Sequence, residues 1–583
     1  MNSLWYRGRA RRILMSTALF TLAACLLAQC TGPYSSKDDG GASPSVIRLV
    51  HGPELRAFLS SVREQFMVKA PRLPNGDPVR LELISEMGLV AAQRIARGDL
   101  KTEGWIAPSS TLVSLTNESR INLGPEQVEC TELFRTPVVV GARPDQVPLL
   151  RPEGSVFSWE HLFPRPKAGA PVKDDALPNF LSISHAQPRA STTGLASLIQ
   201  LAYLASREPP PSRTGSIHEA AQVPEPGVAS SPSIAPLEIS RLRDRGSLET
   251  LKSYQRLVFT YPLSESFLLA KTATASGRRP RFALTTEQQL TQFNQQQSDP
   301  GMQLVALRTK EGTYWENYQL CMSNADWVSP GHRAALKLLK DFLLTPAVQA
   351  DAKHLGFRSA AQAAPVATSP DAKTGTPPDL QDVPVLPPVL SEISSYLLDS
   401  WSNLRRPAAF ILVLDSSGSM EGDALNTGKE QFRTLLAHSS PHDLKALVTF
   451  NSDSTVLSDF TKDSGEVIPK LDTIQAIGGS GVYDGIKSAI ELAQKPNLEA
   501  YRKMIVVFTD GNDKNSEISL TSLMSLVRRS SNENDINLVI IAVDREGSDF
   551  VDLEKVAEAA DGTFRRSALV AMENIFQEVG KGF

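Results

Sequence analysis

Four short apolar runs punctuate the last third of the chain: residues 409–414 (AFILVL), 446–448 (ALV), 504–508 (MIVVF) and 538–543 (LVIIAV). Runs this short, without polar alternation, mark strands buried on both faces, as in a parallel sheet covered by helices. The segments between them switch period. Residues 422–437 place Leu425, Phe432, Leu435 and Leu436 at helical spacing, and 484–493 do the same with Ile486, Ala489, Ile490 and Ala493. Buried strands alternating with amphipathic helices predict an open, doubly wound α/β sheet. In such sheets ligands sit beyond the carboxyl ends of the strands.

Upstream, the pattern predicts a second α/β unit over residues 46–365. Residues 46–50 (VIRLV) read as a strand that runs into His51, Gly52, Pro53 and Glu54, then a helix carrying Leu55, Leu59, Val62 and Phe66. Further strands are expected at 105–110, from 136, and before Tyr261, with an apolar helix through Leu195, Leu198, Ile199 and Ala202. Residues 333–358 read as helix, break, helix. Two stretches break the pattern. Residues 206–237 and 366–388 are rich in Pro and Ser or Thr, and are expected to be a disordered insertion and a linker. A connecting helix is expected at 389–404, its apolar face (Leu390, Ile393, Tyr396, Leu397, Trp401) packing against one of the two units; the second unit then fills 405–583.

The first 24 residues carry a different pattern. Arg7, Arg9, Arg11 and Arg12 precede about a dozen apolar residues, the layout of an export signal. The stretch ends Leu22, Ala23, Ala24, Cys25, which resembles the lipobox of bacterial lipoproteins. That resemblance implies lipidation of Cys25, with residues 25–45 as a flexible tether and the folded units outside the membrane, in the cell envelope. At 583 residues the body exceeds one hydrophobic core. A net charge of −4 with no long basic stripe argues against a nucleic-acid partner. Of the cysteines beyond the leader, only Cys130 and Cys321 remain in the body; an oxidising compartment allows a disulfide, and two buried thiols stay equally open.

The candidate chemistry lies at the strand ends of the C-terminal unit. One strand runs into Asp415, Ser417 and Ser419, another into Asp510, and a Gly-rich loop brings Ser480. Oxygen donors alone suit a hard cation: Mg²⁺ first, with Ca²⁺ or Mn²⁺ as substitutes. The plain alternative is a set of turn and cap residues. The DxSxS run, the loop 478–486 and the distal Asp, in that order, resemble the metal-ion-dependent adhesion site of von Willebrand factor A domains. The resemblance covers about 175 residues, and it departs from the family where Ser480 replaces a Thr. It implies direct ligation by Ser417, Ser419 and Ser480, with Asp415 and Asp510 holding waters, and a protein partner that offers a carboxylate to the metal. No GxSxG, P-loop or nucleophile–base pair is present, so no catalytic residue is assigned and an enzyme is not expected.

The order of short motifs in the first unit resembles the type II periplasmic solute-binding fold, a two-lobed α/β architecture. That resemblance implies a cleft for a small solute or oxyanion, with Ser191, Thr192 and Thr193 at a helix start and Ser109 and Ser110 opposite. The same hydroxyls could serve only as caps, and a strand-end His51 is more often structural than a ligand. Together these readings give a membrane-anchored extracytoplasmic binding or adhesion protein; the alternative is a solute-binding component of a transport or sensing system with an accessory adhesion domain.

Overall fold

A computed structural model describes residues 45–120, 127–150, 157–159, 183–207, 234–262, 265–274, 282–360, 384–511, 513–534, 536–544, 549–560, 562–572 and 576. The leader, Cys25, the tether up to residue 44 and most of both Pro-rich stretches lie outside the described residues.

Two sheets carry the fold. The first uses β1 (Ser45–His51), β2 (Val79–Ser85), β3 (Gly104–Ala107), β4 (Gln127–Ala142), β5 (Ile183–His185), β6 (Phe282–Thr286), β7 (Val305–Leu307), β8 (Trp315–Ser323) and β9 (Arg358–Ser359). Its order is β2-β1-β3-β8-β4-β6-β5, with β7 and β9 also on β4. β4 is the seam between two lobes. Up to Pro137 it pairs with β8, and from Val138 to Ala142 it pairs with β6. The strand expected to start at Thr136 is therefore the middle of a 16-residue strand. Pro137 offers no N–H to the ladder, and sits where β4 leaves one partner for the next.

The second sheet uses β10 (Ala408–Asp415), β11 (Leu444–Phe450), β12 (Ser454–Thr461), β13 (Arg502–Thr509), β14 (Ile536–Val543) and β15 (Thr563–Ser567), in the order β12-β11-β10-β13-β14-β15. All its pairings are parallel except β11–β12. Successive residues of β10 face opposite ways. Ile411 and Val413 join Ile486, Ala489 and Ile490 on one face, while Phe410, Leu412 and Leu414 join Phe432, Leu435 and Leu436 on the other. Both faces are apolar, so the run is continuous; both described units are α/β, as their periodicity indicates. The half-exposed edge strand β12 has no such run and escapes the pattern.

Three expected boundaries shift. Leu386, placed in the linker, is buried in the core of the first unit, and Leu386 N–H donates to Thr313 O at 2.9 Å. Leu237, placed in the insertion, is buried too, with its N–H 3.1 Å from the Tyr203 hydroxyl. Both stretches thus end sooner than composition suggests, because an apolar residue that finds a core leaves the loop. The connecting segment forms helices Ser391–Asp399 and Trp401–Leu404. It packs on the first unit through Ile393, Leu397 and Trp401, whereas Leu390, expected on the buried face, precedes the helix and is 72% exposed.

The second unit is then pinned to this segment. Arg405 donates to both oxygens of the fully buried Asp443, at 3.0 and 2.6 Å, and Asp443 also accepts from Ala408 N–H and Ser440 N–H, each at 2.8 Å. The Arg502 guanidinium lies 4.7 Å from the centre of the Tyr261 ring, whose edge meets Trp401.

Candidate functional site

β10 and β13 are adjacent and parallel, so their ends place Asp415 and Asp510 side by side. Past Asp415 the chain turns through a short 3₁₀ turn, Gly418–Met420, which lifts Ser417 and Ser419 onto the same spot. Ser417 Oγ and Ser419 Oγ are 3.1 Å apart, and Ser419 Oγ donates to Asp510 Oδ1 at 2.9 Å. Asp415 is fully buried. It accepts from Ser417 N–H at 2.8 Å and from the Thr509 hydroxyl at 2.5 Å. Burial pushes its pKa up to about 6, opposed by those hydrogen bonds.

The Gly-rich loop closes the third side. Gly478 adopts a positive φ of 82°, and its carbonyl accepts from Gly418 N–H at 3.0 Å, tying the loop to the Ser run. Asn515 Oδ1 accepts from Ser480 N–H at 3.1 Å, while Lys514 N–H and Asn515 N–H donate to Ser480 O at 2.8 and 3.0 Å. The backbone of Ser480 is thus fully engaged. Its hydroxyl is not: Ser480 Oγ is buried with no hydrogen-bond partner. A buried orphan hydroxyl costs stability unless something outside the chain completes it. The donor set fits a hard divalent cation: three hydroxyls, one of them orphaned, backed by two carboxyls and reached from solvent beside the exposed Ser419. Thr509 and Asn515, which hold Asp415 and Ser480, were not singled out from sequence; Thr509 directly precedes Asp510, whereas nothing local marks Asn515.

The other expected residues divide. Ser191, Thr192 and Thr193 line a cavity of about 400 Å³ between the two lobes of the first unit. Ser109 and Ser110 do not line it. Ser109 caps helix Ser110–Glu118, accepting from Leu112 N–H at 3.2 Å, and the Ser110 N–H donates to Asn317 Oδ1 at 2.9 Å. His51 is buried against its own neighbour, with Nδ1 2.7 Å from Gly52 O. The cavity also differs in sign from an oxyanion site. Glu54 and Glu265 line it, no Lys, Arg or His does among the described residues, and the Ser191 hydroxyl is turned onto Glu265. The start of helix Thr192–Ala205, expected to draw an anion, faces the protein's own carboxyl. Burial, with Glu265 nearby, pushes Glu54 up to about 7. Cys130 and Cys321 form a disulfide across the β4–β8 ladder, beside a bulge where Glu129 takes a positive φ.

Residues 410–512 match the family model of the von Willebrand factor type A domain. Inter-alpha-trypsin inhibitor heavy chain H4 of Bos taurus is 28% identical over 196 residues, which is 31% of this chain and 21% of that protein. The chain thus spans about a fifth of the length of the curated relatives it matches. Among solved structures, a von Willebrand factor type A protein from Catenulispora acidiphila is similar over 30% of this chain and 42% of its own, at 16% identity and a TM-score of 0.28. A periplasmic thiamin binding protein is similar over 64% of this chain and 96% of its own, at 12% identity and a TM-score of 0.39. The strand order, the Asp and Ser cluster at the strand ends and the family match at residues 410–512 agree that the second unit carries a von Willebrand factor type A domain.

Proposed function

We propose that the C-terminal domain binds one divalent cation, Mg²⁺ in the first place, and uses it to take a carboxylate from a protein partner. The observation that carries this reading is the buried Ser480 hydroxyl with no partner, on a loop whose Gly478 carbonyl is tied to Gly418 N–H, between Ser417 and Ser419 of the cluster that also joins Asp415 and Asp510. Hydroxyls would touch the ion directly, and the two Asp would hold its waters. Such a set leaves a cation short of negative charge, and a partner's carboxylate restores it. Von Willebrand factor A domains are protein-interaction modules, which suits this role. Ca²⁺ or Mn²⁺ could replace Mg²⁺ in a site made only of oxygen donors.

The Arg-rich leader and Cys25 extend the proposal to a lipid-anchored protein of the cell envelope. Among the described residues no helix is long and apolar enough to cross a membrane. Titration calorimetry of the full chain with MgCl₂ tests the metal. Saturable binding that Asp415→Ala abolishes supports it; equal heats for wild type and variant reject it. Recovery of one envelope protein by pull-down, lost on addition of EDTA, tests the partner. Label from a palmitate analogue, lost in Cys25→Ala, tests the anchor.

A further inference from the structure

We propose that the cavity between the two lobes of the first unit binds a small organic cation, countered by Glu54 from one lobe and Glu265 from the other, with Glu316 behind them at the hinge. This site is independent of the metal centre.

The three acids come from separate parts of the chain. Glu54 follows β1, Glu265 opens helix Glu265–Ala273, and Glu316 stands on β8 opposite Thr136, at the point where β4 passes from one lobe to the other. Tyr318 lines the cavity and links the set: its hydroxyl is 3.5 Å from Glu316 Oε2 and also meets Glu54. Glu316 is 1% exposed, and its Oε1 has no hydrogen-bond partner. A carboxyl with an unmet oxygen in a dry interior is costly, and more so beside two other acids. Burial and the neighbouring Glu54 and Glu265 hold Glu316 well above the usual carboxylate range. Among the described residues no basic side chain lines the cavity wall to relieve this charge.

A cation from outside would. Among the described residues no three acidic, His or Cys side chains are grouped as ligands for one metal ion. The acids instead flank a space of about 400 Å³, within the range of small-molecule sites. A cation with its charge carried on an organic frame matches that spacing, and Gln289, Gln292 and Phe293 offer amide and aromatic contacts along the same wall. Binding would draw protons off the acids, since the ion pairs favour their charged forms.

The test uses the full chain in EDTA, so that the metal centre is silent. Agmatine and choline are titrated calorimetrically, with citrate and phosphate as anionic controls. The expected result is saturable binding of at least one cation, a measured heat that varies with the buffer's ionisation enthalpy because protons leave, and an affinity about tenfold or more weaker in Glu265→Gln. Without any probe, Glu265→Gln and Glu316→Gln should melt no lower than wild type, because each removes repulsion. Binding of the anions, binding of neither cation at millimolar concentration, unchanged affinity in Glu265→Gln, or a lower melting temperature in the probe-free variants overturns the proposal.

Discussion

Removal of the Ser480 hydroxyl should stabilise the chain without metal and shrink the stabilisation that metal adds. Ser480 is 5% exposed, and its Oγ has no hydrogen-bond partner within the protein. Ser480→Ala then deletes an unsatisfied buried group and should stabilise the fold by about 1–2 kcal/mol. For a domain of this size, each kcal/mol moves the melting temperature by about 2–4 °C. In metal a loss opposes this gain. An ion present at about 100 times its dissociation constant stabilises the native state by about 2.7 kcal/mol. Loss of one ligand that weakens binding about tenfold or more leaves at most about 1.4 kcal/mol of that. The metal-dependent gain should therefore shrink by at least about 1.3 kcal/mol. The assay is thermal unfolding of the full chain, wild type and Ser480→Ala, each in EDTA and in about 10 mM MgCl₂, with Ser480→Thr as the variant that keeps the hydroxyl. The variant should melt above wild type in EDTA and show a smaller Mg²⁺-induced rise, with Thr close to Ser. Destabilisation by the same amount in both buffers would falsify the reasoning, since it would make the hydroxyl a structural group.

Three other outcomes are expected. Asp443→Ala strands Arg405 without its buried partner and should cost about 3–5 kcal/mol, seen as a fall in the urea midpoint; a change under about 1 kcal/mol would show that the pair does not anchor the second unit. Replacing Cys130 and Cys321 together with Ser should cost about 2–5 kcal/mol in the first unit, and an unchanged midpoint would mean that the β4–β8 ladder alone holds that region. His185 is fully buried, and burial lowers its pKa from 6.5 to about 4, so it stays neutral in the fold. Its contribution is complete above pH 6.5 and is lost as the pH falls towards 4, because the unfolded chain takes up the proton first; at about 1.36 kcal/mol per pH unit this amounts to about 3 kcal/mol. His185→Gln should flatten that acid limb, and curves that run parallel to wild type between pH 4 and 6.5 would reject the assignment.

Much of the second unit could be read without coordinates. Its central strands are buried on both faces, so continuous apolar runs announce them, and the acids at the ends of β10 and β13 mark the edge where the proposed cation would sit. The edge strand β12 stayed hidden because half of it faces water. In the first unit the hydroxyls at 191–193 were legible as a helix start, but the sign of the cavity was not. That sign is set by Glu54, Glu265 and Glu316, which are scattered over more than 250 positions and look like ordinary surface acids until the lobes close over them.

The sequence by itself determined the element types, the two α/β units and the oxygen-bearing residues of the proposed metal centre, because periodicity and strand-end motifs are properties of neighbouring residues. The tertiary structure alone decided that the connecting helices belong to the first unit, that Cys130 and Cys321 are joined, that Ser480 Oγ is left without a partner, and that the cavity carries carboxyls in place of an anion site. Each of these depends on which distant groups share a dry space, and burial, charge pairing and hydrogen-bond satisfaction exist only once the chain has folded around them.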